Sequence, residues 1–201
     1  MSPRPDVSVT RKNQILDAAM AVFARLGFHE ARMDDIVQAS GLSKGALYWY
    51  FKSKEDIIVA ISQRLFTTDI EQLEGMLTAE GTVGERLLQL MRSRARGLQE
   101  MSEVVTILFE FYAAAVHQSE VRQLIKSYFQ SFHELLVALI QQGIDRGEFR
   151  PINALEAATA LDSLFEGLVV RWLIDPESVQ WDTLSDSVML LLLDGLKAQG
   201  V

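Results

Sequence analysis

One lysine, two tyrosines and a tryptophan crowd into an eleven-residue stretch, GLSKGALYWYF, residues 41–51. An ammonium, two phenolic hydroxyls and an indole N–H are groups that grip phosphates and base edges. Groups for covalent chemistry are scarce elsewhere. The three histidines are isolated in sequence, no HExxH or phosphate-loop pattern occurs, and the chain has no cysteine. Thiol nucleophiles, thiolate zinc sites and disulfides are therefore excluded, and a reducing cytoplasm is the expected compartment. No enzyme activity and no cofactor are expected.

A polyanion partner conflicts at first sight with a formal charge of −8. The charge is unevenly spread. Residues 1–64 carry nine Lys/Arg against seven Asp/Glu, and the remainder carries ten against twenty, so the deficit lies in the second part. Segregated charge points to two tasks, with the N-terminal part tolerating the polyanion. No signal-type h-region opens the chain, and its apolar runs fall short of the ~20 residues that a membrane span needs. A soluble protein with no membrane association is expected.

The elements that must hold the aromatic stretch all show helical periodicity. Apolar positions at Ile15, Leu16, Ala19, Val22, Phe23 and Leu26 trace one face of a helix ended by Gly27. A short helix is expected at about 34–40, then a turn through Gly41, then a second short helix capped by Ser43 and running to Phe51. Ser53 and Asp56 open a long helix to about 78, and Thr82 with Glu85 opens another. Further helices are expected at about 103–117, 119–147, 153–174 and 180–198. The fold class is all-α with about nine helices: a three-helix DNA-binding domain over 1–53 and a larger helical domain over 54–201, joined by helix 54–78.

Two short helices about a glycine turn suggest a helix-turn-helix, whose second helix enters the major groove. At roughly 100° per residue, Leu47 and Phe51 share the core face of that helix. Gly45 and Trp49 then point away, with Lys44 and Tyr48 on one flank and Ala46 and Tyr50 on the other. Gly45 and Ala46 lack bulk and permit close approach to bases. Lys44 reaches a guanine or a phosphate, Tyr48 offers a hydroxyl, and Trp49 offers an N–H and a flat face to thymine methyls.

The run Ile15–Ile57, ILDAAMAVFARLGFHEARMDDIVQASGLSKGALYWYFKSKEDI, resembles the DNA-binding domain of the tetracycline-repressor (TetR) family. The likeness implies a recognition helix at Ser43, Lys44, Gly45, Ala46, Tyr48 and Trp49, with phosphate contacts from Tyr48, Tyr50 and Lys54. Arg32 stands where the family carries a small capping hydroxyl, and its guanidinium is available to a phosphate instead. The family further implies repression, relieved when a small-molecule inducer enters the C-terminal domain and alters the separation of two recognition helices.

In that domain, Phe109, Tyr112, Phe129, Phe132 and Phe165 supply apolar walls, and Glu110, His117 and His133 supply polar handles. The last helix holds six consecutive apolar residues, Val188 to Leu193, more than one core face can hide. With Ala157, Ala158, Ala160 and Gly167 permitting close approach, a homodimer is expected through Leu161, Leu164, Leu168, Leu184, Val188, Leu191 and Leu192. Two recognition helices ~34–36 Å apart would read a palindromic double-stranded operator. The rival reading is a helical protein–protein interaction module without selective DNA binding.

Overall fold

The computed structural model describes residues 7–100 and 106–197, apart from the side chains of 100, 106–110, 182, 184 and 185. The order is α1 (Val7–Leu26), α2 (Met33–Ser40), α3 (Lys44–Tyr50), α4 (Lys54–Thr78), α5 (Val83–Glu100), α6 (Thr106–His117), α7 (Ser119–Asp145), α8 (Ala154–Ile174), a 3-10 turn at Pro176–Ser178, and α9 (Trp181–Leu196). The all-α expectation is met. Among the described residues the only β pairing is a bridge between Phe149 and Lys197, and no helix is long and apolar enough to cross a membrane.

Capping fixes the helix starts as the sequence predicts. Asn153 Oδ1 accepts from the N–H groups of Leu155 and Glu156. Thr82 N–H donates to Glu85 at 2.9 Å, and Glu85 N–H donates back to Thr82 Oγ at 3.2 Å. Ser53 and Asp56 exchange the same reciprocal pair at 3.2 Å each way. These bonds satisfy amide donors that a helix leaves open in its first turn.

The described residues form two compact units, one within Met1–Leu65 and Ser102–Arg122, the other within Phe66–Met101 and Gln123–Val201. Packing therefore groups residues 54–65 and α6 with the first three helices, whereas the sequence suggests a division after residue 53. The cause is visible in α4, whose Ile57, Ile58 and Ile61 are buried like Ile15, Leu16 and Phe23 of α1. Arg64 adds a 2.8 Å ion pair to Asp17.

In the second unit, the α7–α8 connection is cut to measure. Phe149 is buried, and a Cβ on Gly143 would stand 2.5 Å from its ring. The next residue, Arg150, donates its backbone N–H to Leu196 O and its Nε to Gly195 O, each at 2.9 Å. Those carbonyls belong to the last turn of α9, which lacks intrahelical partners for them. A Gly143→Ala chain should lose ~1–3 kcal/mol of stability, because the rigid Phe149 ring must shift to admit a methyl group. Chemical denaturation would measure the loss.

Candidate functional site

The first unit presents α3 as an outward face. Leu47 is fully buried and Phe51 is 4% exposed, so the inward side of this seven-residue helix is settled. Trp49, one-half turn from Leu47, is 69% exposed. Its indole meets the Tyr50 ring edge-on at 4.6 Å, which steadies it without hiding it. Tyr48, Tyr50 and Ala46 are half-buried, and Lys44 and Gly45 are exposed. Ser43 Oγ accepts from Ala46 N–H at 3.2 Å as the N-cap. Gly41 closes α2 in the left-handed conformation at φ +66°, which bends the chain into α3.

Gly45 has no atom within 4 Å of where a Cβ would stand. Nothing inside the protein requires a glycine there.

Charge at this face is more guarded than the sequence suggests. Lys44 Nζ pairs with Asp34 Oδ1 of α2 at 2.7 Å, and that hydrogen bond raises its pKa above the usual lysine value. Both partners are well exposed, so water and salt screen the pair and a phosphate competes for the ammonium. Arg32 is exposed. It does not cap α2 with its side chain; its backbone N–H donates instead to Asp35 Oδ2 at 2.8 Å. The helix start is thereby satisfied by Asp35 and the guanidinium is left outside.

Lys54 departs from expectation. Its ammonium donates to the carbonyls of Phe28, His29 and Ala31 at 2.7, 2.8 and 3.2 Å, and sits 4.6 Å from the Phe28 ring centroid. An ammonium has three donors, and all are used. Lys54 is a tie between the start of α4 and the turn after α1, not a phosphate hand.

The second unit holds a buried charge cluster that the sequence reading missed. The side chain of Arg94, on α5, is 6% exposed. Its guanidinium lies between two phenyl faces, 4.3 Å from the Phe132 centroid and 3.9 Å from that of Phe165. Asp69 approaches Nε at 3.3 Å, Glu166 approaches Nη2 at 3.7 Å and Asp162 approaches Nη1 at 3.9 Å. Tyr128 hydroxyl accepts from Arg94 at 3.3 Å and donates to Asp69 at 2.8 Å. Burial pushes the Asp162 carboxyl above the usual aspartate range, although Arg94 and His133 both favour its ionised form. The Tyr128 hydroxyl is likewise pushed up, chiefly by burial.

Beside the cluster, Leu87, Leu90, Met91, Leu136, Leu161 and Met189 line a void of about 10 Å³, room on the order of one water molecule. Two of the expected ligand-wall residues, Phe132 and Phe165, are thus brought together around Arg94, and His133 lies close enough to act on Asp162. Phe129 is half-buried, with its ring 5.4 Å from that of Tyr128. Tyr112 and His117 sit on α6, which is grouped with the first unit. The side chains of Phe109, Glu110 and Leu184 lie outside the described residues.

The signal for Arg94 is its position. It follows Leu87, Leu90 and Met91 by seven, four and three residues, which puts it on the buried stripe of α5, while Arg92 and Arg96 are exposed. Arg86 obeys the same rule. It is 1% exposed and donates from Nη1 to Met76 O at 2.7 Å and Leu77 O at 3.3 Å, closing the end of α4.

The surface of α8 and α9 also differs in detail from expectation. Leu161 is 3% exposed, because it shares the inward face with Ala154, Ala158, Phe165 and Trp172. It has no surface to offer a partner. Leu164, Leu168, Val188 and Leu192 are half-buried. Among the described residues the exposed large apolar side chains are Leu155, Val170 and Ile174 on α8 and Leu190 and Leu191 on α9, with Ile174 and Leu191 each 74% exposed.

The Asp162 environment has a measurable consequence. Its folded pKa is raised, so its contribution to stability is complete below the ordinary carboxylate range and is lost as pH rises through the folded value. Asp162→Asn should therefore melt at or above the wild-type temperature near neutral pH, by up to about 4 °C. The difference should vanish in acid, where Asp162 is protonated. Thermal melts across pH would show this.

Comparison with known proteins finds a match at each end of the chain. Residues 15–61 match the description "Bacterial regulatory proteins, tetR family", and residues 83–196 match "BetI-type transcriptional repressor, C-terminal". The fatty acid metabolism regulator protein of Bacillus subtilis is 28% identical over 188 residues, 91% of this chain and 94% of that one. The crystal structure of FadR from Bacillus subtilis, solved with stearoyl-CoA, has a TM-score of 0.74 at 26% identity, covering 92% of this chain and 98% of that one. A TetR regulator from Haloarcula marismortui, 19% identical, shares the fold at a TM-score of 0.81, covering 94% and 100%. With matches over the N-terminal unit and over more than half of the chain beyond it, this protein belongs to the TetR family of transcriptional regulators.

Proposed function

We propose that α3 is inserted into the major groove of a palindromic operator by a homodimer, which represses transcription until a small molecule enters the helical domain. The protein is a DNA-binding transcriptional regulator of the TetR family and not an enzyme. The single observation carrying the groove assignment is the division of α3 into a buried edge at Leu47 and an outward Trp49. In this reading residues 1–53 are the DNA-binding domain, acting in the cytoplasm. Ser43, Lys44, Gly45, Ala46, Tyr48 and Trp49 face the groove, and Arg32 and Tyr50 reach the flanking phosphates.

The dimer reading rests on the outer stripe of α8 and α9. Ser163, Gly167, Val170 and Ile174 are exposed at spacings of four, three and four, and Thr183, Ser187, Leu190, Leu191 and Asp194 follow the same rhythm on α9. Small residues among branched apolar ones let two helices approach closely, and a second copy offers an identical surface. The B. subtilis relative solved with stearoyl-CoA supports a small molecule as the inducer. Release requires that the ligand bind the two states of the dimer with different affinity, by ~1–3 kcal/mol in ordinary cases.

Gly45→Ala tests the groove assignment. Alanine is the better helix former by ~1 kcal/mol, so thermal stability should hold or rise. Affinity for a duplex carrying the operator should nevertheless fall about tenfold or more, the cost of a methyl group wedged against base edges. Unchanged affinity in fluorescence anisotropy would turn this face away from DNA. The double variant Ile174→Glu with Leu191→Glu should sediment as a monomer and lose operator binding while keeping its helical circular dichroism. A dimer at micromolar concentration would move the interface off this stripe.

A further inference from the structure

The surroundings of Arg94 are those of a bound cation rather than of a helix strut. Its guanidinium is held face-on between Phe132 and Phe165, at 4.3 and 3.9 Å, the arrangement in which aromatic faces hold organic cations. Three carboxylates converge on it, Asp69 at 3.3 Å, Glu166 at 3.7 Å and Asp162 at 3.9 Å. Nε has no hydrogen bond, although Asp69 lies 3.3 Å away, and Asp162 Oδ1 is buried without a hydrogen-bond partner. A buried arginine retained for stability would be expected to use its planar fork bidentately. Arg92 does this with Asp186 at the surface, at 2.7 and 2.6 Å. At Arg94 the fit is electrostatic and aromatic, not directional.

The space beside the guanidinium is apolar, lined by Leu87, Leu90, Met91, Leu136 and Leu161, and is nearly filled. A ligand enters only if something moves, and the flexible side chains lining that void are Arg94, Met91 and Met189. An anionic head group would have to join Asp69, Asp162 and Glu166 around a single guanidinium, against their combined repulsion. A cationic head group would take over what the guanidinium now has: two ring faces and a set of carboxylates.

We propose that this cluster is the receptor for an apolar organic cation, a quaternary or guanidinium head on a hydrocarbon arm, and that Arg94 is a tethered stand-in which the ligand displaces. The head replaces the guanidinium between Phe132 and Phe165 and pairs with Asp162 and Glu166. The arm spreads the Leu87–Leu136 wall. Arg94 is then a built-in competitor that sets the concentration at which the protein responds. The assignment rests on the second unit being the ligand-sensing part of the regulator.

The test is isothermal titration of the full-length dimer with decyltrimethylammonium and with decanoate, both below their micelle concentrations. These probes share the arm and differ in the sign of the head. The ammonium should bind once per chain and at least about tenfold more tightly than decanoate. Asp162→Asn and Glu166→Gln, both isosteric, should each weaken the ammonium about tenfold, and Arg94→Met should tighten it by a similar factor. Near-UV circular dichroism checks that each variant is folded, and the two isosteric variants carry the test if Arg94→Met is not. Decanoate binding as tightly as the ammonium, with loss in Arg94→Met, would make Arg94 an anion receptor and overturn the proposal. Ammonium binding that ignores both carboxylate variants, or no binding, would overturn it equally. Operator release is followed separately by anisotropy. Carboxylate-dependent ammonium binding without release would sustain the cation site and sink the ligand-responsive reading alone.

Discussion

A helix of seven residues does not persist in water by its own hydrogen bonds, because nucleation costs more than so few bonds return. The geometry of α3 therefore depends on where Leu47 and Phe51 are pressed. Both are buried, in a unit whose α1, α2 and α4 also bury Ile15, Leu16, Phe23, Ile36, Ile57 and Ile61. Once the inward edge is fixed, the directions of Gly45 and Trp49 follow from the helical repeat. The outward face is thus a by-product of core packing, and an exposed tryptophan is tolerated because the opposite edge already supplies the anchoring.

The second unit works under a different constraint. It places a permanently charged side chain, Arg94, in a nearly dry space. Burial alone would lower its pKa, and Tyr128, Asp69, Glu166 and Asp162 outweigh that and keep it charged. Removing Arg94 would leave its carboxylates uncompensated, which generally costs more than the intact set contributes.

Much of this was legible in advance, for reasons that vary by residue. Leu47, Phe51 and Trp49 could be placed because a helical repeat needs only local sequence, and Ser43, Thr82, Asn153 and the Ser53–Asp56 pair because caps act over three residues. Lys54 could not. Its partners are three backbone carbonyls more than twenty residues away, and carbonyls leave no trace in the pattern of side chains. Arg94 sits among Arg92 and Arg96 in a run that looks like one solvated face, and only its register against Leu87 and Met91 sets it apart. Leu161 is misplaced for the complementary reason: α8 carries leucines at 155, 161, 164, 168 and 173, and composition alone does not say which of them faces inward.

The Lys54 tie has a mechanical side. Three carbonyls in the turn after α1 converge on the ammonium of the first residue of α4, and Arg64, further along the same helix, grips Asp17. Two such grips along one helix suppress bending at the joint between α1 and α4. Torque applied to residues 54–65 of α4 is then delivered to α1 and the turn after it, in the way a key transmits rotation through its shaft.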